Sequence, residues 1–541
     1  MAERKMGPPP LLAEGSERTR GRDAMRMNIM AARTVAETVR TTLGPMGMDK
    51  MLVDSLGDVL VTNDGATIMR EMDVQHPVAR MMIEVARAQE ASVGDGTTTV
   101  VVLAGELLKE ADGLIDLGIH PVVIAKGYRM ALEMCLKTLD EIAIHIDTDL
   151  ATLKAVANTT MTGKGVEKAK SHLTDVIVEA LESVAFVRDG HRQVDVNFIK
   201  IEKKEGGAIE KSELIRGVVL AKEKAHVAMP SRVENARIAL INSPVEYKGK
   251  SFDAKISVAE PGQLNAFLQE RISVLKEIAT LINDKGANVL FTEKGIDDYC
   301  VSLLARNNIL AIRRVRRSDM ELLAKATGAT IINNIEELDE QALGYAGLVE
   351  EKNVDGTMMV FVQECRDPKA ASILIRGGTK HIVDEVERVV EDCLGTLPAV
   401  ISTGQVLTGG GAAEVDLATK LRVFAEGVDG IERMGIEAFA RALEVIPKAL
   451  AENAGCNPLE VLLEMRSRNA RESSKVGFDP FSGSVKDLYQ ENVIEPFLVK
   501  KQAIISASEL ALMILRINDI IAASKLSLPS PDGMLAAGKT E

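Results

Sequence analysis

Cysteine is scarce in this sequence. The five present, Cys135, Cys300, Cys365, Cys393 and Cys456, lie far apart among 541 residues and form neither a CxxC pair nor a paired framework. That excludes a disulfide scaffold and points to reduced thiols in a cytoplasmic compartment. The seven histidines are scattered as well, without an HExxH or other ligand spacing, so nothing supports a zinc site. Residues 1–22 are polar, with three prolines and several charges, and lack the apolar run of a signal peptide or a membrane span. They are expected to form a flexible tail. Positive charge is in deficit: 65 Lys and Arg face 79 Asp and Glu, giving a net charge of -14. An acidic chain repels phosphate backbones, so nucleic acid is excluded as the main partner and a membrane is not expected. The only dense basic run, Arg313-Arg-Val-Arg-Arg317, reads as a solvated strand end.

What is present is a globular composition, 46% hydrophobic and 27% charged, long enough for about three or four domains at ~150 residues each. The chemically densest stretch is Val93-Gly-Asp-Gly-Thr-Thr-Thr-Val-Val-Val-Leu103. Gly94 and Gly96 permit a tight turn, Thr97, Thr98 and Thr99 can cap a helix, and Val101, Ala104, Leu107 and Leu108 repeat at helical spacing. Free N–H groups at a helix start favour an anion such as phosphate. Asp95 would repel that phosphate unless a divalent cation lay between them, which suggests a magnesium nucleotide with Asp95 as oxygen ligand. The same residues also suit an ordinary Gly-Asp turn with a threonine cap.

Along the chain, residues 24–43 carry one apolar helical face that stops at Gly44-Pro45, and residues 50–53 and 59–62 read as short strands. Asn63-Asp-Gly65 is a turn that places Asp64 between strand and helix. Helical spacing continues over residues 77–91, 124–142 and 150–158, and Thr159-Thr-Met-Thr-Gly-Lys-Gly165 breaks it. This is not a Walker loop, because Asn158 and Gly165 stand where a Gly and a Ser or Thr are needed. Lys164 is either a solvated loop lysine or within reach of a phosphate.

Short apolar runs, including 198–201, 218–220, 238–241, 289–291, 310–312, 330–332, 359–362 and 373–375, alternate with helices in the middle. Residues 212–366 therefore read as an α/β domain. Within it a long helix begins near Pro261, with Leu264, Phe267, Leu268, Ile272, Leu275, Ile278 and Ile282 on a face expected in the core. Glu385, Arg388 and Asp392 fall on what reads as a solvated face of the next helix. A strand at 406–408 runs through Gly409, Gly410 and Gly411 into a helix, and helices follow over 435–454, 458–469 and 503–523.

Leu43-Gly-Pro-Met-Gly-Met-Asp-Lys50, Asn63-Asp-Gly-Ala-Thr67, Gly94-Asp-Gly-Thr-Thr-Thr99 and Gly409-Gly-Gly-Ala-Ala-Glu414, in that order, closely resemble the group II chaperonins, nearest their archaeal thermosome subunits. Gly217-Val-Val-Leu220, Arg376-Gly-Gly-Thr379 and Ala442-Leu-Glu-Val-Ile-Pro447 extend the resemblance over almost the whole chain. It implies a multidomain α and α/β chaperonin fold: a mainly helical equatorial ATPase domain from residues 1–147 and 403–541, a small intermediate domain from 148–214 and 368–402, and an α/β apical domain at 215–367. It further implies a helical protrusion at about 246–276 that serves as a built-in lid in place of a separate cochaperonin, and a flexible tail from about 527.

The resemblance implies an ATPase using ATP/ADP and Mg2+, in a double ring of one or several subunit types, with eight subunits per ring, enclosing unfolded client proteins. It assigns Leu43, Gly44, Pro45, Gly65, Gly96, Thr97, Thr98, Thr99, Gly163, Lys164, Gly410, Gly411, Glu495 and Lys500 to the nucleotide, Asp95 to the metal, and Asp64 and Asp392 to catalysis. Pro398 departs from the usual pattern in the helix after Asp392, and the sequence from Gly533 lacks the Gly-Met repeats of many relatives. Two other classes stay open on the residues alone: a monomeric ATP-dependent enzyme acting on a metabolite, and a non-catalytic assembly protein that binds nucleotide structurally.

Overall fold

Which apolar stripes meet decides the architecture, and in the computed structural model they meet in three large cores. The structure describes residues 17–53, 55–72, 74, 76–147, 149–188, 190–247, 261–366, 368–472 and 475–522. The first core joins both ends of this range, from Met25 to Leu139 and from Leu407 to Leu515. At its centre runs the helix Thr97–Asp116, whose residues Val100, Val101, Val102, Leu103 and Ala104 are buried one after another. A helix with so continuous a buried run has to be enclosed by others, and Gly21–Arg40, Pro121–Ile142, Glu432–Leu443 and Phe497–Ile514 pack around it. Tyr128 is fully buried there; its hydroxyl donates to the Leu107 carbonyl at 2.7 Å and its ring meets Phe439 edge-on at 5.6 Å.

The second core is built on a seven-stranded sheet. Its strands run in the order Leu310–Ile312, Val289–Thr292, Arg232–Ile241, Gly344–Val354, Thr357–Gln363 and Val218–Leu220, with Ile331–Ile332 also paired to Arg232–Ile241. Helices Pro261–Asp284, Asp298–Arg306 and Arg317–Thr327 contribute apolar side chains to the same core. The third core packs helices Leu150–Met161, Lys170–Val184 and Lys380–Thr403 on a sheet ordered Ile199–Glu205, Ala371–Gly377, Glu213–Ile215.

Several sequence expectations are corrected. The strand Glu213–Ile215 belongs to the third core's sheet, not to the α/β unit that residues 212–366 suggested. Gly344–Val354 is a strand that the charges of Glu350, Glu351 and Lys352 concealed; Glu350 is nevertheless buried. The helix expected over 435–454 is two, Glu432–Leu443 and Val445–Asn453. The last helix stops at Ile514, and Asp519–Ala522 forms a strand paired antiparallel with Glu17–Arg20. Asn518 and Asp519 are poor helix formers and the β-branched Ile520 and Ile521 favour a strand, while the partner strand supplies the hydrogen bonds. Residues 17–20 are therefore not a free tail.

The helix Pro261–Asp284 divides along its length. Leu275, Ala279 and Ile282 are buried, Leu268 is 41% exposed, and the side chains of Leu264 and Phe267 lie outside the described residues. Part of the expected protrusion falls there too, since residues 248–260 are outside the described set. Helix Lys380–Thr403 continues past Pro398 and ends at the left-handed Gly404.

Candidate functional site

Two helices are separated by three residues at the glycine and threonine motif. Gly94, at φ 74°, closes helix Pro77–Val93, and Gly96, at φ 84°, opens helix Thr97–Asp116, leaving Asp95 on the corner between them. Both glycines occupy left-handed backbone that side chains disfavour. Gly96 is the N-cap and no side chain caps this helix, so the threonines form its first turn instead of capping it. Their backbone N–H groups belong to the free end of the helix.

This corner opens on a cavity of about 450 Å³, within the usual size range of small-ligand sites. Leu43, Gly44 and Pro45 line it from the end of the first helix, Asp64 and Gly65 from the next turn, and Asp95 to Thr99 from the corner itself. Gly163 and Lys164 come from the loop after Leu150–Met161, and Gly410, Gly411, Glu495 and Lys500 from the later part of the chain. Asp392 is not among the lining residues; it stands behind Lys164.

Lys164 holds the cavity's charges together. Its Nζ lies 2.6 Å from Asp392 Oδ2 and 3.4 Å from Asp95 Oδ1. Burial favours the neutral amine, but Asp392 and Asp95 together overcome it and hold Lys164 protonated. Burial pushes the Asp392 carboxyl up to about 7, with Asp95 and Asp64 adding to the shift and Lys164 opposing it. Asp392 is thus no solvated face residue, as helical spacing alone suggested; only 16% of its side chain is exposed.

Asp64 caps helix Gly65–Glu71, its two carboxylate oxygens accepting from the N–H groups of Ala66 and Thr67 at 3.3 and 2.8 Å. The side chain of Asn63 donates to the Gly163 carbonyl, tying this turn to the Lys164 loop. Glycine is needed at Gly65, where a Cβ would come within 2.3 Å of Thr98 Oγ1. Across the cavity, Lys500 is clamped between Glu414 at 2.6 Å and Glu495 at 2.8 Å. The two carboxylates outweigh burial and keep it charged, while burial raises the Glu495 carboxyl.

Sequence reasoning missed three contributors. Gln89, fully buried in helix Pro77–Val93, donates from Nε2 to the carbonyls of Asp95 at 3.0 Å and Val499 at 3.2 Å. It pins the Asp95 corner to the helix that carries Lys500, and nothing in its local sequence marks it. The hairpin Val476–Asp479 and Ser484–Asp487 supplies Phe478, Asp479 and Phe481 to the wall. Gly410 serves this hairpin, since a Cβ there would lie 2.7 Å from the Phe478 carbonyl oxygen. Glu414 was read only as part of a motif.

Chemically, the site presents cations and free N–H groups to an anion, with carboxylates placed to hold a hard metal ion or accept a proton. Among the described residues no group of three or more His, Cys, Asp or Glu side chains could hold a metal by itself. That donor set fits magnesium, which takes one or two carboxylates and completes its shell with phosphate oxygens and water.

The same chain matches, over residues 35–525, the model of the TCP-1/cpn60 chaperonin family. This protein is a member of that family. The chaperonin is 56% identical to a thermosome subunit of Methanopyrus kandleri over 518 residues, 96% of this chain and 95% of that relative. It is 52% identical to thermosome subunit beta of Methanothermobacter thermautotrophicus over 528 residues, covering 98% and 97% of the two chains. Against a thermosome subunit of Pyrococcus horikoshii the identity is 53%, covering 97% and 96%. The multidomain α and α/β chaperonin fold expected from the sequence agrees with both the cores and these relatives.

Proposed function

We propose that this chaperonin is an ATP-hydrolysing subunit of a double ring that encloses unfolded proteins and promotes their folding. The observation that carries the reading is the shared cavity: the corner at Asp95 belongs to the first core, whereas Lys164 reaches it from the third with Asp392 paired behind it. ATP would enter with its phosphates beside Gly96, at the N–H groups of Thr97 to Thr99 and near Lys164, and its ribose beside Gly410, Gly411 and Glu495, with Lys500 fixing Glu495. Leu43, Gly44, Pro45, Gly65 and Gly163 would close around it. Asp95 would hold magnesium, and the bound ion supplies charge neutralisation on the phosphates.

Hydrolysis needs a water in line with the terminal phosphate and a group to orient it. Asp64 and Asp392 take those roles in this reading, and the raised proton affinity of Asp392 suits a base. Lys164 is placed to exchange a carboxylate partner for a phosphate oxygen. Because that exchange alters contacts between two cores, nucleotide chemistry would be coupled to domain movement.

In the same reading the first core is the equatorial domain (1–147 and 403–541), the third the intermediate domain (148–214 and 368–402) and the second the apical domain (215–367). Residues 246–276 act as the lid, without a separate cochaperonin. Rings of eight, of one subunit type or several, would work in the cytoplasm; no helix among the described residues is long and apolar enough to cross a membrane. The test is protease shielding of an unfolded client. Full-length particles should protect it on adding Mg-ATP, and deletion of residues 246–276 should abolish protection while leaving ATPase activity intact. Unchanged protection after the deletion refutes the lid.

A further inference from the structure

Asp392 stands behind Lys164 on helix Lys380–Thr403, and one turn further on the same face stands Gly395. Gly395 meets Gly94 backbone to backbone. A Cβ built on Gly395 would lie 2.6 Å from Gly94 Cα, and one built on Gly94 would lie 2.5 Å from Gly395 Cα. Real carbon contacts settle near 3.5–4.0 Å, and backbone on both sides cannot swing aside as a long side chain would. A similar contact recurs beside Lys164, where a Cβ on Gly163 would lie 2.6 Å from Pro45 Cα. The third core therefore touches the first at two glycines near the cavity, one close in sequence to Asp392 and one beside Lys164.

We propose that Gly395 is a positioning residue for hydrolysis: by having no side chain it sets how closely the helix carrying Asp392 approaches the Asp95 corner. This rests on the reading of the cavity as an ATPase site. Adding one carbon at Gly395 moves the helix away from Gly94 by about 1 Å if ordinary contact is to be restored. Asp392 and Lys164 belong to the same core and move together. The contact that crosses between cores, Lys164 to Asp95 at 3.4 Å, is the one that stretches.

A displacement of that size in the reacting geometry costs on the order of 10²-fold in rate. Alanine at a helix-interior position otherwise favours the helix over glycine. That preference offsets part of the overpacking cost, so a loss of rate is not a loss of the helix.

The experiment compares wild-type particles with Gly395→Ala, Gly395→Ser and a control, Gly113→Ala, which lies in another helix with open space around its would-be Cβ. Steady-state ATP hydrolysis, titration with a non-hydrolysable ATP analogue, and particle mass are measured for each. Both Gly395 variants are expected to assemble and bind the analogue like wild type while turnover falls on the order of 10–100-fold; the Gly113 variant should match wild type throughout. Wild-type turnover in either Gly395 variant overturns the inference. Loss of assembly or of nucleotide binding along with turnover overturns it equally, because the glycine would then serve the fold. If wild type itself neither binds nor hydrolyses ATP, it is the ATPase reading that has failed.

Discussion

Replacing Asp392 by Asn removes a charge and a proton acceptor while keeping the side chain's volume. In the structure this carboxylate is largely buried, accepts from Lys164 at 2.6 Å, and titrates at about 7 because burial and the neighbouring Asp95 and Asp64 disfavour its ionised form. A general base is most effective when its pKa lies near the working pH, and it contributes ~10²–10⁴-fold to rate. Turnover of Asp392→Asn at mildly alkaline pH should therefore fall by roughly 10²–10⁴-fold. ATP affinity should hold or rise, since Lys164 has one carboxylate partner fewer to exchange for a phosphate oxygen.

The sign of the pH effect follows from the same shift. Above about 7 the wild-type carboxylate is ionised and can accept a proton; below it the group is protonated, so kcat/KM falls as pH drops through that value. The Asn variant has no such group to titrate, and its residual activity should lack that acidic limb. The assay is phosphate release across a pH series, with a binding titration alongside. Turnover comparable to wild type, or an acidic limb that survives the substitution, refutes the assignment of Asp392 as base.

Two further substitutions test the supports of the site. Gln89→Leu leaves two buried carbonyls without their donor; at ~0.5–1.5 kcal/mol per hydrogen bond the loss is about 1–3 kcal/mol, read as weaker Mg-ATP binding in a nucleotide titration. Unchanged affinity would show that the Asp95 corner holds its shape unaided. Lys500→Met strips the cation from between two carboxylates, one of them, Glu414, almost fully buried. Breaking a buried pair costs ~3–5 kcal/mol, so the thermal midpoint should drop clearly, and adding Glu414→Gln should recover part of it; a midpoint that does not move contradicts the clamp.

The turns at Asp64 and Asp95 were legible in the sequence because their chemistry is local: glycine spacing, an acid and a helix start lie within a few residues. The apolar helix Thr97–Asp116 and the strands Lys50–Val53, Val59–Thr62, Val218–Leu220 and Leu310–Ile312 were legible for the same reason. Asp392 was not, from spacing alone. In its helix it shares the periodicity of Glu385 and Arg388, and only the arrival of Lys164 from another segment distinguishes it. Gln89 is harder still, as one polar residue on an amphipathic helix whose partners are carbonyls set by tertiary packing. The strand Asp519–Ala522 was masked by an apolar pattern that also fits a helix, and its partner at Glu17–Arg20 looked like a polar tail.

That the first core draws on both halves of the chain has a consequence for biosynthesis. A ribosome delivers Asp95 some four hundred residues before Lys500, which at about 5–20 residues per second is a delay of tens of seconds. Throughout that interval helices Gly21–Arg40 and Thr97–Asp116 exist without Phe497–Ile514, and apolar surface that the finished subunit buries has nothing to cover it. The cavity likewise has no far wall until Glu495 and Lys500 emerge. The nascent subunit passes through a state with exposed hydrophobic surface, and in the proposed reading ATP cannot assist it until its own translation is nearly finished.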